Sequence, residues 1–170
     1  DQGMRVPDDV TLLLCDDNWG NVRRLPDLKS KPRKGGYGMY YHMDMHGGAH
    51  SYQWVGSTYI PKVWEQMSMA YDYGVRDIWV VNVGDIGTQE FGISYFLNLA
   101  YDMEGMGATH PNNTVDFTKK WVEQQLKGAF EQKDLDDIAL IMEKYTLMCE
   151  RRKHEIMNDK VYHPVHFGEA

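Results

Sequence analysis

The sequence predicts an α/β fold, a parallel sheet with helices packed on it, followed by a helical segment. Three features lead there. The apolar runs "VTLLLC" at 10–15, "YGMYYHMD" at 37–44 and "RDIWVVNVGD" at 76–85 are short, and each gives way to polar residues or glycine. Segments with apolar residues at helical spacing separate or follow them, and apolar strands alternating with helices belong to parallel sheets. Beyond about residue 113 the strand pattern stops and only helical spacing remains.

Taken in order, the first run reads as a strand buried on both faces that ends at Asp16, Asp17, Asn18 and Gly20. "RRLPDLKSKPRKGG" carries Pro26, Pro32, Gly35 and Gly36 and reads as a long loop. The aromatic second run is a strand by propensity. Pro61 stands where a helix can begin, and Val63, Trp64, Met67 and Ala70 keep helical spacing until Gly74. The third run is another buried strand, and Phe91, Tyr95, Leu99 and Met103 mark a helix from about Glu90 to Met103. "GMGATHPNN", 105–113, concentrates Gly, Pro and Asn and reads as a linker. Helices follow over 115–127 and 134–157, with Gly128 between them, Asp134 as an N-cap, and Leu135, Ile138, Ile141, Met142 and Tyr145 as the apolar face. Three parallel strands cannot close a barrel and would leave long edges open, so this chain belongs to a larger α/β architecture.

The 170 residues carry a formal charge of -7, and Lys and Arg cluster only at 29–34 and 151–153, which argues against a nucleic-acid surface. No apolar run approaches the 20 or so residues of a membrane span. Cys15 and Cys149 lie far apart in apolar sequence, without metal or redox spacing, and read as core. The chain opens on "DQGMRVPDD" without a basic-then-apolar leader, so either a signal was removed or the sequence is an interior piece.

Chemistry gathers where the strands end. The first delivers Asp16, Asp17 and Asn18, the second His42 and Asp44, the third Asn82 and Asp85. Parallel α/β folds bind ligands outside the carboxyl ends of their strands. Taken singly, "CDDNWG" and "NVGD" are ordinary turn sequences, and a lone histidine is often a satisfied core residue. Their shared position is what favours a site. Asp16, Asp17, Asp44, Glu65, Asp85 and Glu90 supply the acids that glycoside hydrolysis needs, two carboxyl groups roughly 5 to 9.5 Å apart. Trp19, Tyr40, Tyr41, Tyr52 and Trp54 supply aromatic faces for sugars, although one of Tyr40 and Tyr41 has to be core. Arg23 and Arg24 offer guanidinium forks that match a substrate carboxylate, or pair with the neighbouring aspartates.

The stretches "VTLLLCDDNWGNVRRLP", "GGYGMYYHMDMHGGAHSYQW", "VWEQMSMAYDYGVRDIWVVNVGDI", "EFGISYFLNLAYD" and "RRKHEI" together span most of the chain. In combination they resemble glycoside hydrolase family 115, the xylan α-1,2-glucuronidases. The resemblance implies a large multidomain enzyme, extracellular or periplasmic and possibly homodimeric, that removes glucuronic acid or its 4-O-methyl ether from xylan with inversion. Glucuronoxylan and aldouronic acids would be its substrates, and no cofactor is expected. Its active site would lie in a (β/α)8-type barrel, of which residues 1–104 would be the later strands, with 105–113 a linker and 114–170 the start of a helical domain. The likeness points to Asp16, Asp17, Asn18, Arg23, His42, Glu65, Asn82 and Asp85 as pocket positions. Glu65, in the first turn of the helix after the second strand, is the preferred catalytic carboxylate, with Asp16 or Asp17 as partner. Trp19, Arg24, Tyr41 and Asp44 complete the expected substrate contacts, and Arg23 is expected to meet the sugar carboxylate.

Two other readings use the same residues. A noncatalytic carbohydrate-binding module would need the aromatics and not the acids. A metal-dependent hydrolase would use His42, Asp44 and His46, alternate positions that share one face of a strand. Gly47 and Gly48 count against the metal, because they end the strand before His46 can join. The family resemblance counts against it too, since relatives favour an aromatic or aliphatic residue in place of Met43 and Met45 and do not require His46.

Overall fold

In a computed structural model describing residues 4–17, 19–44, 55–111 and 113–151, the three apolar runs pair side by side. They form one parallel sheet in the order β1 (Leu12–Cys15), β2 (Tyr37–His42), β3 (Ile78–Asn82). Cys15 stands opposite Tyr40, and His42 opposite Asn82, so the three carboxyl ends reach one rim together. Between β2 and β3 runs α1 (Ile60–Asp72), and β3 is followed by α2 (Ile86–Tyr101) and a single turn, α3 (Met103–Met106). Two longer helices, α4 (Asn113–Leu126) and α5 (Gln132–Arg151), complete the described chain.

Helix α1 forms where proline and glycine direct it. Pro61 occupies its first turn, where the missing N–H costs no hydrogen bond. At its end Gly74 adopts φ 89°, donates to the Tyr71 carbonyl at 2.9 Å, and lets Val75 donate to Ala70 at 3.0 Å. That pair of bonds is a Schellman stop, and Val75 and Ala70 are both fully buried beneath it. The chain then turns directly into β3.

The core lies on one side of the sheet. Side chains alternate along a strand, so Met39 and Tyr41 of β2 share a face with Trp79 and Val81 of β3. Ile60, Val63, Met67 and Ala70 of α1 and Tyr95, Phe96 and Leu99 of α2 pack onto that face. Phe96 is central, with ring centroids 6.1 Å from Tyr41 and 5.8 Å from Trp79. Burying a side chain of this size contributes about 1.5–3 kcal/mol. Among the described residues the opposite face is uncovered: Leu13, Ile78 and Val80 are 51%, 49% and 40% exposed. The expectation of strands buried on both faces is therefore corrected for β1 and β3, because both sheet-packing helices lie on the same side. Cys15, expected in the core, has the uncovered parity and is exposed.

Two helix starts and one helix face differ from the sequence expectation. Helix α2 starts at Ile86 instead of Glu90, with Asp85 in the N-cap position and Thr88 bonding back to the Asp85 carbonyl. Asp134 is not the N-cap of α5 but lies in its first turn, where its charge still favours the positive end of the helix dipole. Ile141 and Tyr145 of the expected apolar face are 64% and 41% exposed, whereas Leu135 and Ala139 pack with Val122 into a small second core.

The glycine-rich segment before α4 is tied to its surroundings. Trp64 Nε1 donates to the carbonyls of Met106 and Gly107 at 2.9 and 3.1 Å, and the Tyr95 hydroxyl donates to Asn113 Oδ1 at 2.7 Å. Phe117 of α4 packs its ring against Phe91 and Tyr95. No described helix is long and apolar enough to cross a membrane.

Phe96→Ala is expected to lower stability by about 3–5 kcal/mol, read as a fall in the urea unfolding midpoint. A loss below about 1 kcal/mol would mean that Phe96 does not join the helices to the sheet.

Candidate active site

The rim is organised by one carboxylate. Asp16 follows β1, and its Oδ2 accepts the His42 backbone N–H at 3.0 Å while its Oδ1 lies 2.6 Å from His42 Nδ1. The Cys15 thiol also points at Oδ1, at 3.7 Å. Asp16 has no exposed side-chain surface and His42 keeps 10% of its own. A buried carboxylate is tolerated where hydrogen bonds replace its water, and here both oxygens are engaged. Because a carboxylate only accepts, the neutral imidazole carries its proton on Nδ1, and Nε2 becomes an acceptor. Among the described residues Nε2 has no hydrogen-bond partner.

Around the pair stand groups brought in by strand register. The Tyr40 ring lies 4.3 Å from the His42 ring, and Asn82 Nδ2 donates to the Tyr40 hydroxyl at 2.7 Å. Cys15, Tyr40, His42 and Asn82 all have the parity of the uncovered face. Burial, the Asp16 charge and the Asp16 hydrogen bond push the Cys15 thiol above its ordinary pKa, so it stays protonated. The cleft behind His42, bordered by Trp19, Gly20 and Lys62, is about 20 Å³ and holds at most a water.

Asp17 does a different job from its neighbour. Its Oδ1 accepts from the backbone N–H groups of Trp19 and Asn21, each at 2.9 Å, and its Oδ2 takes Arg23 NH1 at 3.0 Å. Burial opposes the charge, but the bonds from Asn21, Trp19 and Arg23 outweigh it and hold the pKa at about 2. Such a group favours the ionised form and is poorly suited to be a general acid. The turn also positions Gly20, at φ 74°, whose carbonyl accepts the Tyr41 hydroxyl at 3.1 Å. A Cβ on Gly20 would stand 2.7 Å from that hydroxyl.

Tyr41 is 3% exposed and faces the helices, so it is core and not a substrate contact; Tyr40 is the tyrosine on the open face. Burial, together with the charges of Asp16, Glu150, Asp17 and Glu65, raises the Tyr41 pKa well above its ordinary value. Glu65 is thus within electrostatic reach of the same hydroxyl as Asp16. It nevertheless lies in the second turn of α1, not the first, and is exposed, its one hydrogen bond among the described residues coming from Gln66 Nε2 at 3.4 Å.

The remaining expected residues are spread along the rim. Asp44 is buried against Gly84, where an added Cβ would meet its Oδ2 at 2.2 Å. Asp85 is exposed at the start of α2. Trp19 is 45% exposed, and the Arg23 side chain is 73% exposed although paired with Asp17. Arg24 lies with Leu12 and Leu14 along the open edge of β1. Asn18, His46, Gly47, Gly48, Tyr52 and Trp54 lie outside the described residues. Because β2 already ends at His42, His42 and Asp44 do not share a strand face. The described donors that do come together are Cys15, Asp16 and His42, all within 4.8 Å of one another. The sequence gives no sign that Cys15 and Tyr40 stand beside His42, because the parity they share depends on the register between β1 and β2.

The family model for glycosyl hydrolase family 115 matches residues 1–156. The chain has no match among curated proteins. Among solved structures it is similar to a family 115 4-O-methyl-α-glucuronidase with specificity for decorated arabinogalactans, at 32% identity and a TM-score of 0.76. That alignment covers 92% of this chain and 20% of the solved one, so the chain spans about a fifth of that enzyme's length.

Asp17 has its pKa depressed on folding, from 3.8 to about 2. Its contribution is therefore present above about pH 4 and lost as pH falls toward 2. Asp17→Ala is expected to cost about 1–2 kcal/mol at neutral pH, with the gap to wild type closing between about pH 4 and 2 in denaturation midpoints. A gap that does not change with pH would contradict the assignment.

Proposed function

The chain belongs to glycosyl hydrolase family 115, and from this we propose that it forms part of an enzyme releasing glucuronic acid or its 4-O-methyl ether from polysaccharide side branches. The three-stranded sheet is then the later part of a (β/α)8-type barrel whose other strands cover the face carrying Leu13, Ile78 and Val80. Xylan is the substrate that the sequence resemblance favours, and decorated arabinogalactan is the one named for the solved relative. A polymeric substrate places the enzyme outside the cytoplasm, in the periplasm or beyond.

The observation that carries this reading is the Asp16–His42 pair at the carboxyl ends of parallel strands, the end at which parallel α/β folds bind their ligands. Hydrolysis with inversion needs a proton donor on the leaving oxygen and a base that activates water. Asp16 is the carboxylate of this chain best placed to act there, through or beside His42. Asp17 is poorly suited to be the acid, because its hydrogen bonds to Asn21, Trp19 and Arg23 hold its pKa at about 2. Tyr40 and Asn82 contribute a ring and polar groups for sugar hydroxyls, and Trp19 a second aromatic surface. Glu65 remains the candidate on this chain for the second carboxylate.

Arg23 suits the acid group of the sugar. One of its guanidinium nitrogens holds Asp17, and the fork leaves further donors for a uronate carboxylate.

In the complete enzyme, Asp16→Asn is expected to lower kcat on aldouronic acids by about 10²–10⁴-fold while oligosaccharide binding persists. Unchanged turnover would remove Asp16 from the chemistry, and no release of uronic acid from either polysaccharide would overturn the function. A comparable loss of kcat in Glu65→Gln would assign the second carboxylate to this chain. For Arg23→Ala, loss of a charge-assisted contact of about 2 kcal/mol predicts a roughly 30-fold lower kcat/KM on uronic acid substrates. An unchanged value would mean that Arg23 only holds Asp17.

A further inference from the structure

Cys15, Asp16 and His42 bring a thiol, a carboxylate and an imidazole to one point, and the carboxylate is fully buried. We propose that these three side chains form a binding site for a soft divalent cation of the zinc class, and that such an ion switches the active site off by replacing the proton between Asp16 and His42.

The distances carry the argument. In a tetrahedral site, bonds of about 2.0 Å to nitrogen and oxygen and about 2.3 Å to sulfur put neighbouring donors roughly 3.3–3.5 Å apart. Here Sγ to Oδ1 is 3.7 Å and Sγ to Nδ1 is 3.9 Å, close to those edges. Only the Nδ1 to Oδ1 edge, at 2.6 Å, is short, and it has to open by about 0.7 Å. Turning the imidazole about its bond to Cβ does this without moving the sheet, because Asp16 Oδ2 stays on the His42 backbone N–H. The donor set of sulfur, nitrogen and one carboxylate oxygen is suited to zinc and poorly matched to calcium or magnesium. Cys15 closes β1 at the carboxyl rim of the sheet, where an ion can enter and water can serve as fourth ligand.

Charge and protons balance as follows. The ion takes Nδ1, so the imidazole proton shifts to Nε2, and the Cys15 thiol gives its proton to solvent. One proton leaves per ion bound, and no oxidant or reductant is needed. In the process Nε2 changes from acceptor to donor, which reverses what His42 offers to a sugar hydroxyl or a proton. The site rests on the geometry of the three side chains; the inhibition alone rests on the hydrolytic function proposed above.

The test loads the complete enzyme with Co²⁺ in place of zinc and records its absorption. Thiolate-to-cobalt charge transfer in the near ultraviolet is expected at one equivalent, lost in Cys15→Ser and retained in Cys149→Ser. Absence of that band, or its persistence in Cys15→Ser, would overturn the site. Serine keeps the approximate size of the Cys15 side chain, and an unaltered thermal midpoint confirms that the variant is folded. Zn²⁺ is further expected to inhibit uronic acid release reversibly by chelator, with Cys15→Ser needing about 10- to 100-fold more zinc. Equal sensitivity of wild type and variant would overturn the inhibitory role. An enzyme that shows the cobalt band but releases no uronic acid would refute the proposed function and leave the metal site standing.

Discussion

The rim depends on the two-point grip of Asp16 on His42. One carboxylate oxygen holds the backbone N–H where β2 ends, and the other holds the imidazole, across 26 positions of sequence. A single bond to the ring would leave it free to turn, and a single bond to the backbone would fix the strand without fixing the ring. With both, the end of β1, the end of β2 and the tautomer of the histidine are set together. The buried charge is the cost of this arrangement, and it persists because the low-dielectric surroundings strengthen each bond the carboxylate makes.

From that grip the rest of the site follows by parity. Asp16 and His42 fix which side chains of β1 and β2 turn away from the helices, and Cys15 and Tyr40 turn with His42. Register with β3 then brings Asn82 beside Tyr40. The same alternation sends Met39, Tyr41, Trp79 and Val81 toward α1 and α2, so the hydrophobic core is also what aims the polar end of the open face. Asp17 stabilises the turn from the other side, holding Trp19 and Gly20 in place over the Tyr41 hydroxyl. Two adjacent aspartates thus act on different problems. One shapes the turn that leaves the sheet, and the other orders the chemistry at its edge.

Much of this was legible in the sequence, and the gaps have physical causes. Apolar runs closed by Asp, Asn and Gly marked the strands and their polar ends, Pro61 and Gly74 marked the limits of α1, and the stretches shared with family 115 include Asp16, His42 and Asn82, which the structure brings to one rim. What sequence could not supply was which face of each strand is covered, since that depends on both helices packing on the same side. Hence the sequence alone favours a core position for Cys15 and a pocket position for Tyr41, where Tyr40 is the open one. The roles of Asp16 and Asp17 were equally hidden, because a turn-capping and a buried aspartate are chemically identical in a string. Asn21, four residues after Asp17 and bonded to it through backbone and side chain, was the one local clue.

If Asp16 acts through its hold on His42, the two residues form one functional unit. The most direct measurement is a double-mutant cycle on kcat in the complete enzyme, with Asp16→Asn, His42→Gln and the pair together. A double variant no slower than the slower single variant is the predicted result. Losses that multiply independently would contradict the account, since the two side chains would then contribute separately to turnover.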